Sequence, residues 1–215
     1  MDMQNIGVGP VSVALMAQED RIVRHIREKK TDFEPKSLAA WAAACRAGAN
    51  ALDIGSYSGL FAIAAAKLGC HAWAFEPMPL NMNRVRMNCL HNNVRIETAE
   101  CVVSDRGGPT EITFNPKVVG LTAGASMVRK KGFKKPVMAI TIDSMNLDDV
   151  CAIKIDVERG EPAVLRGAAE TLARCRPIML VEALGENERA AVMAEVPGYR
   201  VEAVLDVRNL LMVPC

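Results

Sequence analysis

Apolar and polar residues recur along the chain with periods that predict alternating helices and strands from about residue 36. Leu38, Trp41, Ala42 and Cys45 share one helical face at positions i, i+3, i+4 and i+7. The short apolar run Ala49–Ile54 predicts a buried strand. By the same criteria, further strands are predicted at His71–Phe75, Val94–Val103, Cys151–Val157 and Ile178–Glu182, and further helices at Ser58–Leu68, Pro77–Leu90, Pro162–Ala173 and Glu186–Ala194.

The last two predicted strands, Tyr199–Leu205 and Asn209–Val213, follow each other with only three residues between them. Strands separated by helices favour a parallel sheet that is covered on both faces. A tight turn, in contrast, joins antiparallel strands. The chain is therefore predicted to be an α/β protein with a doubly wound, mostly parallel sheet that ends in an antiparallel hairpin.

Two segments depart from this regular alternation. Residues 1–35 precede the first predicted strand of the sheet and contain a charged helical stretch at Asp20–Lys30, so we expect an N-terminal helical extension that covers the site as a lid. The main domain is expected to span residues 36–215. Within it, residues 105–142 are rich in loops, with short strands predicted at Glu111–Phe114 and Val137–Ile142.

Composition and charge narrow the class of protein. The chain has 215 residues and a formal net charge of +1, which gives no overall reason to expect a nucleic acid or an anionic membrane as partner. Only 4% of the residues are aromatic, few for a platform that stacks single-stranded bases. The seven cysteines are an odd number without a C-x-x-C pair, which argues against a disulfide framework or a zinc ribbon and favours a cytoplasmic protein. No apolar run approaches the roughly twenty residues of a membrane span.

Carboxylates follow the predicted strands at their carboxyl ends. Each predicted parallel strand ends in or near an acid: Asp53, Glu76, Glu100, Asp156 with Glu158, and Glu182. In open α/β sheets, ligands bind at this edge. Like charges that crowd together are costly, so stability alone does not explain the pattern. The sequence therefore predicts a ligand site at the carboxyl edge of the sheet.

The first of these strands leads into a glycine turn with the pattern D-x-G-x-x-x-G. Gly55 and Gly59 permit a tight turn and the close approach of a ligand. Asp53 stands where a dinucleotide fingerprint has its first glycine. A carboxylate there disfavours a pyrophosphate and favours a cationic or amino-bearing ligand. The alternative is an ordinary strand–helix turn in which Asp53 caps the helix.

Glu76 ends the next predicted strand, where an acid can accept the two hydroxyls of a ribose. Together with Asp53 it indicates a ligand that contains adenosine but no phosphates. Glu100, or a neighbouring backbone group, is then expected beside the adenine edge. The alternative for Glu76 is a surface glutamate before the turn at Pro77.

Several strings in the chain resemble the FkbM family of S-adenosylmethionine-dependent methyltransferases. They are DIGSYSG, AFEPMPLNMNRVRMN, VVSDRGG, KIDVERGEPAVLRGA and RPIMLVEA, and the resemblance spans residues 50–183. It implies the Rossmann-like class I methyltransferase fold with seven strands, and O-methylation, often of sugar or natural-product hydroxyls. Two departures are Ser56, where the family usually has Ala, and Arg159-Gly160 within the family's D-V-E-G-A-E segment.

The resemblance implies S-adenosyl-L-methionine as cofactor. The family's glycine loop, ribose acid and K-I-D-V-E segment correspond to Asp53, Gly55, Gly59, Glu76, Lys154, Asp156 and Glu158. The expected cofactor-binding residues are Asp53, Gly55, Ser56, Tyr57, Gly59, Glu76, Pro77, Glu100, Cys101 and Asp156, and the expected catalytic residues are Lys154, Asp156 and Glu158.

A hydroxyl acceptor needs a base for its proton, and Asp156 or Glu158 can supply it. The two acids and Lys154 share one face if the strand continues through them, so Lys154 can pair with either acid or hold an anionic group. The alternative is an internal salt-bridge cluster at the strand end. A metal site built from Asp156, Glu158 and Glu182 has no supporting spacing, and we expect none.

Basic residues cluster inside the loop-rich segment, at Arg129, Lys130, Lys131, Lys134 and Lys135. They are interpreted as a solvated loop, as a flap that attracts an anionic acceptor, or as an arm that contacts RNA.

The favoured function is therefore methylation of a hydroxyl on a small molecule or sugar, which is anionic if the basic cluster acts as a flap. Its rivals are an RNA or protein methyltransferase, a nicotinamide-dependent oxidoreductase, and a non-catalytic module of the same fold.

Overall fold

A computed structural model describes residues 2–115, 125–129 and 131–215 of the chain. The strands are β1 (Met3–Val8), β2 (Val11–Met16), β3 (Asn50–Ile54), β4 (His71–Phe75), β5 (Glu97–Ala99), β6 (Val102–Val103), β7 (Gly108–Phe114), β8 (Phe133–Ile140), β9 (Val150–Ile155), β10 (Ile178–Glu182), β11 (Tyr199–Leu205) and β12 (Asn209–Pro214). The helices are α1 (Arg21–Lys29), α2 (Pro35–Ala44), α3 (Leu60–Lys67), α4 (Pro79–Asn92), α5 (Glu161–Arg166), α6 (Ala169–Cys175) and α7 (Glu186–Glu195).

The main sheet has the predicted topology. Among the described residues it contains seven strands in the order β11-β12-β10-β9-β3-β4-β5. The strands from β10 to β5 pair in parallel, whereas β12 pairs antiparallel with both β10 and β11. The class I methyltransferase arrangement expected from the sequence is confirmed. No helix in the described ranges is long and apolar enough to cross a bilayer.

Alternate residues of the central strands point to two separate hydrophobic layers. Ala51 and Leu180 belong to the layer that includes α2, α3 and the N-terminal hairpin, whereas Leu52 and Val181 belong to the layer on the opposite face. Successive strand side chains face opposite sides of a sheet, so a run that is apolar throughout requires cover on both faces. Trp41 is fully buried in the first layer, and its indole N–H donates to the Phe61 carbonyl oxygen at 2.9 Å.

The N-terminal extension is only partly helical, so the prediction for residues 1–35 is wrong for its first half. The hairpin β1–β2 occupies this half, and α1 matches the predicted helix at Asp20–Lys30. Alternate buried residues such as Val13 and Leu15 give the segment a period of two, which is typical of a strand. Asn92 of α4 fixes the hairpin, because its side chain donates to the Ala14 carbonyl oxygen and accepts from the Ala14 N–H.

The predicted strand Val94–Val103 is split between two sheets. Its first part is β5, at the edge of the main sheet, and its second part is β6, which pairs with β8 in a three-stranded sheet of order β6-β8-β7 among the described residues. The expected loop-rich segment 105–142 therefore carries regular structure in β7 and β8. Residues 116–124 and Lys130 of that segment lie outside the described residues.

Candidate active site

A cavity of about 530 Å³ opens at the carboxyl edge of the main sheet, over the tips of β3, β4, β9 and β10. This volume lies within the range of small-molecule sites, about 300–1,000 Å³. The predicted residues that line it are Asp53, Gly55, Ser56, Tyr57, Glu76, Pro77, Cys101, Lys154, Asp156 and Glu158. Glu100 is exposed and does not line the cavity, because the chain leaves the main sheet just before it; Gly59 lies behind the lining as the N-cap of α3.

Asp53 closes β3 and organises the start of the next helix. Its carboxyl is 2% exposed and accepts a hydrogen bond from the Ala62 N–H in the first turn of α3, at 3.0 Å. Burial raises the pKa of Asp53 to about 7, against the opposing effects of that N–H and of Lys154. Asp53 therefore combines the capping role with a position on the cavity wall.

Gly55 is required by the packing of two loops. Its φ of +83° lies in the left-handed region, and a Cβ atom there would stand 1.8 Å from the Asp156 carbonyl oxygen. The close approach expected for a ligand is thus made by the protein's own backbone. This contact joins the tip of β3 to the tip of β9, where the candidate catalytic acids lie.

Glu76 is held by the backbone on both sides. One carboxylate oxygen accepts from the Tyr57 N–H at 3.0 Å, and the other accepts from the Met78 N–H at 2.9 Å. Burial raises the pKa of Glu76 to about 7, and these backbone bonds oppose the shift. A carboxylate offers about four lone-pair sites, so Glu76 retains capacity to accept from a ligand.

The glycine turn also carries a buried hydroxyl and a link to the N-terminal extension. The Ser56 hydroxyl lines the cavity and has no hydrogen-bond partner among the residues that the structure describes. Buried hydroxyls are nearly always bonded, so this atom indicates a polar ligand. The Tyr57 hydroxyl accepts from the Arg21 N–H at 3.0 Å and thereby ties α1 to the turn.

Lys154 lies in the middle of the carboxylates of the site. It neighbours Asp53 in the register of β9 and β3, and its ammonium is 3.4 Å from an Asp156 carboxylate oxygen. Burial by itself lowers the pKa of Lys154, but nearby carboxylates, Asp156 first and then Glu34, outweigh that effect and raise it. Lys154 therefore remains protonated and acts as a counter-ion rather than a base.

The shared strand face predicted for Asp156 and Glu158 is wrong. Strand β9 ends at Ile155, and the chain then turns, with φ values of +57° at Glu158 and +76° at Arg159. Both acids still line the cavity, but Glu158 reaches it from the turn. The Ser126 hydroxyl donates to the Glu158 carbonyl oxygen at 2.6 Å, so the loop-rich segment also contributes to the site.

Three side chains that the sequence did not assign complete the far end of the cavity. Glu34 lies at the N-cap of α2 and accepts from the Asn209 amide at 3.0 Å. Arg208, in the turn of the last hairpin, donates to Glu182 at 3.1 Å. In the same turn, the Asp206 carboxylate accepts from the Ser37 N–H in the first turn of α2. The turn at residues 206–208 was visible in the sequence, but no pattern connected it with the tip of β10.

The described basic residues of the segment 129–135 do not line the cavity. Lys134 pairs with Glu111 at 2.9 Å, and the Lys135 ammonium donates to the Pro77 carbonyl oxygen at 3.1 Å. Carboxylates outnumber basic side chains in the described cavity wall. In the described ranges, no group of three or more His, Cys, Asp or Glu side chains is arranged to hold a metal ion.

Comparison with known proteins identifies the family. The model of the methyltransferase FkbM domain matches residues 47–211, which run from just before β3 into the first half of β12. The chain belongs to the FkbM methyltransferase domain family.

Relatives of this FkbM domain agree with the fold. The 31-O-demethyl-FK506 methyltransferase FkbM of Streptomyces tacrolimicus is 27% identical over 159 residues, and the match covers 58% of this chain and 61% of that protein. The crystal structure of methyltransferase FkbM from Methylobacillus flagellatus KT has a TM-score of 0.55 at 15% identity and covers 90% of this chain and 60% of that one. A T. thermophilus 16S rRNA methyltransferase, solved in complex with AdoMet and guanosine, has a TM-score of 0.54 at 9% identity, over 99% of this chain and 50% of that one.

Arg159 is the main departure of this FkbM domain from the segment D-V-E-G-A-E. Its side chain turns away from the cavity, and its guanidinium lies 3.3 Å from a carboxylate oxygen of Glu188 in α7. The turn itself is held by Glu161, which accepts from the Val157 and Arg159 N–H groups at 3.1 and 3.2 Å. Arg159 itself is therefore not part of the cavity wall.

Glu161→Ala is expected to lower the free energy of unfolding by about 2–3 kcal/mol, because two backbone N–H groups in a partly buried turn lose a charged acceptor. Glu161→Gln is the matched control, since its amide oxygen retains an acceptor, and it should cost clearly less. Urea unfolding of the three proteins measures the difference. Equal losses in both variants would contradict this role of Glu161.

Proposed function

We propose that this FkbM domain is an S-adenosylmethionine-dependent methyltransferase that methylates a hydroxyl of a small molecule. The observation that carries the proposal is one cavity in which Asp53, Glu76 and the unpartnered Ser56 hydroxyl meet. Two buried carboxyls at neighbouring strand tips match a ligand that offers hydroxyls and positive charge.

The residues present fit the proposed cofactor. The turn at Asp53–Gly59 would hold the methionine part, with the Ser56 hydroxyl available to it. Glu76 would accept the ribose hydroxyls. Cys101, Val102 and Val103 give an apolar wall for the adenine, in place of the exposed Glu100. When bound, S-adenosylmethionine supplies a methyl group already activated on its sulfonium.

Acidic side chains argue for this ligand over a nicotinamide dinucleotide. A pyrophosphate in the turn would lie close to Asp53, which is buried. Charges of the same sign in a partly buried site repel strongly because water screens them poorly. A sulfonium nucleoside meets the same acid with favourable charge.

The acceptor is proposed to bind over the tips of β9 and β10, on the side of the cavity away from Glu76. Asp156 and Glu158 line this side, and we assign the proton-accepting role to Asp156. Its carboxylate is held by Lys154 yet remains about a third exposed (36%), so it can both contact an acceptor and release a proton. The protein otherwise contributes alignment of the acceptor oxygen with the methyl group.

Binding of S-adenosylhomocysteine and of NAD to the purified protein tests the proposal. We expect calorimetric titration to detect S-adenosylhomocysteine and to detect no NAD binding at the same concentrations. The physical reason is the acidic side chain of the glycine turn. It attracts the amino group of S-adenosylhomocysteine and repels the pyrophosphate of NAD. NAD binding as tight as that of S-adenosylhomocysteine, or no binding of S-adenosylhomocysteine, would overturn the assignment.

A further inference from the structure

Two carboxyl groups lie side by side at the acceptor end of the cavity. In the parallel register of β9 and β10, Lys154 pairs with Leu180 and Ile155 pairs with Val181. The next residue after β9 is Asp156, and the last residue of β10 is Glu182. Both line the cavity, so the two carboxyl groups lie at adjacent strand ends on one cavity wall.

Each carboxyl of this pair has its own cation. An Asp156 oxygen is 3.4 Å from the Lys154 ammonium, and a Glu182 oxygen is 3.1 Å from the Arg208 guanidinium. The two sites differ in solvent access, because the side chain of Glu182 is 9% exposed and that of Asp156 is 36% exposed. Asp156 therefore meets the open cavity, and Glu182 lies behind it.

We propose that Asp156 and Glu182 act as one proton-sharing carboxyl pair, in which Asp156 contacts the acceptor hydroxyl and Glu182 is a positioning residue that holds Asp156. This inference rests on the proposed methyl transfer to a hydroxyl. It assigns to Glu182, so far described only as the acid at the end of β10, the role of positioning Asp156.

Electrostatics favours one shared proton over two charges. Adjacent carboxylates in a poorly solvated site repel each other, and one proton between them replaces that repulsion with a hydrogen bond. Burial raises the pKa of Glu182 to about 8, Asp156 raises it as well, and Lys154 and Arg208 lower it. Within the pair we assign the shared proton to Glu182, the more buried partner, so that its carboxyl donates to Asp156.

Other carboxyls also face the pair: Glu34, Asp53 and Glu161 each interact with Asp156. Glu34, from the start of α2, and Asp53, from β3, both interact with Lys154. Glu34 also interacts with Arg208. They keep both cations protonated, so the proton that moves belongs to the carboxyl pair.

In the reaction, the acceptor oxygen forms its bond to the methyl carbon as the carbon–sulfur bond breaks, and the electron pair of that bond remains on sulfur. The O–H proton of the acceptor passes to the free oxygen of Asp156. The pair then carries two protons, and one leaves to solvent through the partly exposed Asp156. The initial state, with one shared proton, is thereby restored.

Carbon-13 NMR of the full chain labelled at the glutamate carboxyls tests the pair without an acceptor. Glu182→Gln removes one resonance and so assigns it. We expect this resonance to titrate near pH 8 in the wild type, and its midpoint to fall by at least about one pH unit in Asp156→Asn, because the neighbouring charge is lost.

Glu158→Gln is the matched control, since it removes a charge from the same cavity wall without touching the pair. It should leave the Glu182 midpoint nearly unchanged. A Glu182 midpoint in the ordinary glutamate range in the wild type, or an equal shift in both variants, would overturn the shared proton.

Calorimetry with S-adenosylhomocysteine on the same samples separates this inference from the proposed function. If the wild type fails to bind that ligand, the proposed function fails. If it binds but Glu182 titrates like an ordinary glutamate, the proposed function stands and only the pair is wrong.

Discussion

Glu76→Ala is expected to weaken S-adenosylhomocysteine binding at least tenfold, a loss of about 1.4 kcal/mol. Glu76 is buried at the tip of β4 with both oxygens fixed by backbone N–H groups. Its orientation is therefore set before a ligand arrives, and a charged acceptor for two hydroxyls is lost on truncation. Calorimetric titration of the wild type and the variant measures the change.

Two further variants separate the ribose contact from damage to the turn. Glu100→Ala removes an acid that is exposed and lies outside the cavity wall, so it should bind like the wild type. Glu76→Gln retains one acceptor oxygen for the Tyr57 or Met78 N–H, and its affinity should fall between those of the wild type and Glu76→Ala. Unchanged affinity in Glu76→Ala would show that the ribose is held elsewhere.

Asp156→Asn is expected to reduce methyl transfer by about a hundredfold or more, the usual effect of losing a general base. The amide cannot take the acceptor proton, yet it retains the size of the carboxyl. S-adenosylhomocysteine affinity should remain close to that of the wild type, because the turn at β3 and Glu76 are unaltered. The assay follows transfer of a labelled methyl group to hydroxylated small molecules that the wild type methylates.

Glu158→Gln distinguishes the two acids that the sequence left as alternatives. If Asp156 is the base, Glu158→Gln should retain most of the turnover, because Glu158 reaches the cavity from the turn after β9. Full activity of Asp156→Asn together with an inactive Glu158→Gln would transfer the role to Glu158.

The N-terminal extension forms part of the cavity in which the ligand and the acceptor are proposed to bind. Its helix α1 begins against the Tyr57 hydroxyl, and Arg21, Ile22 and His25 contribute to the cavity wall. The extension thus contributes to the cavity wall, and its first half is a hairpin rather than a helix.

The periods of the apolar residues along the chain were sufficient to predict the main sheet and its terminal hairpin. They also brought Asp53, Glu76, Asp156 and Glu182 to one edge, because parallel strands necessarily gather their carboxyl ends on the same side of a sheet. Asp53 and the glycines of its turn were recognisable because their spacing is local. Where a few neighbouring residues decide the structure, the sequence was a reliable guide.

Contacts between distant segments decided the rest. A continuous apolar run cannot reveal that the chain changes sheets between β5 and β6. Glu100 was therefore assigned to the cavity wall, whereas of these two neighbours it is Cys101 that lines the cavity. The turn after β9 is held by the carboxyl of Glu161, and the pairing of Arg208 with Glu182 depends on strand order. Local periodicity specifies which elements form, but the neighbours of a strand tip are chosen by packing across the whole sheet.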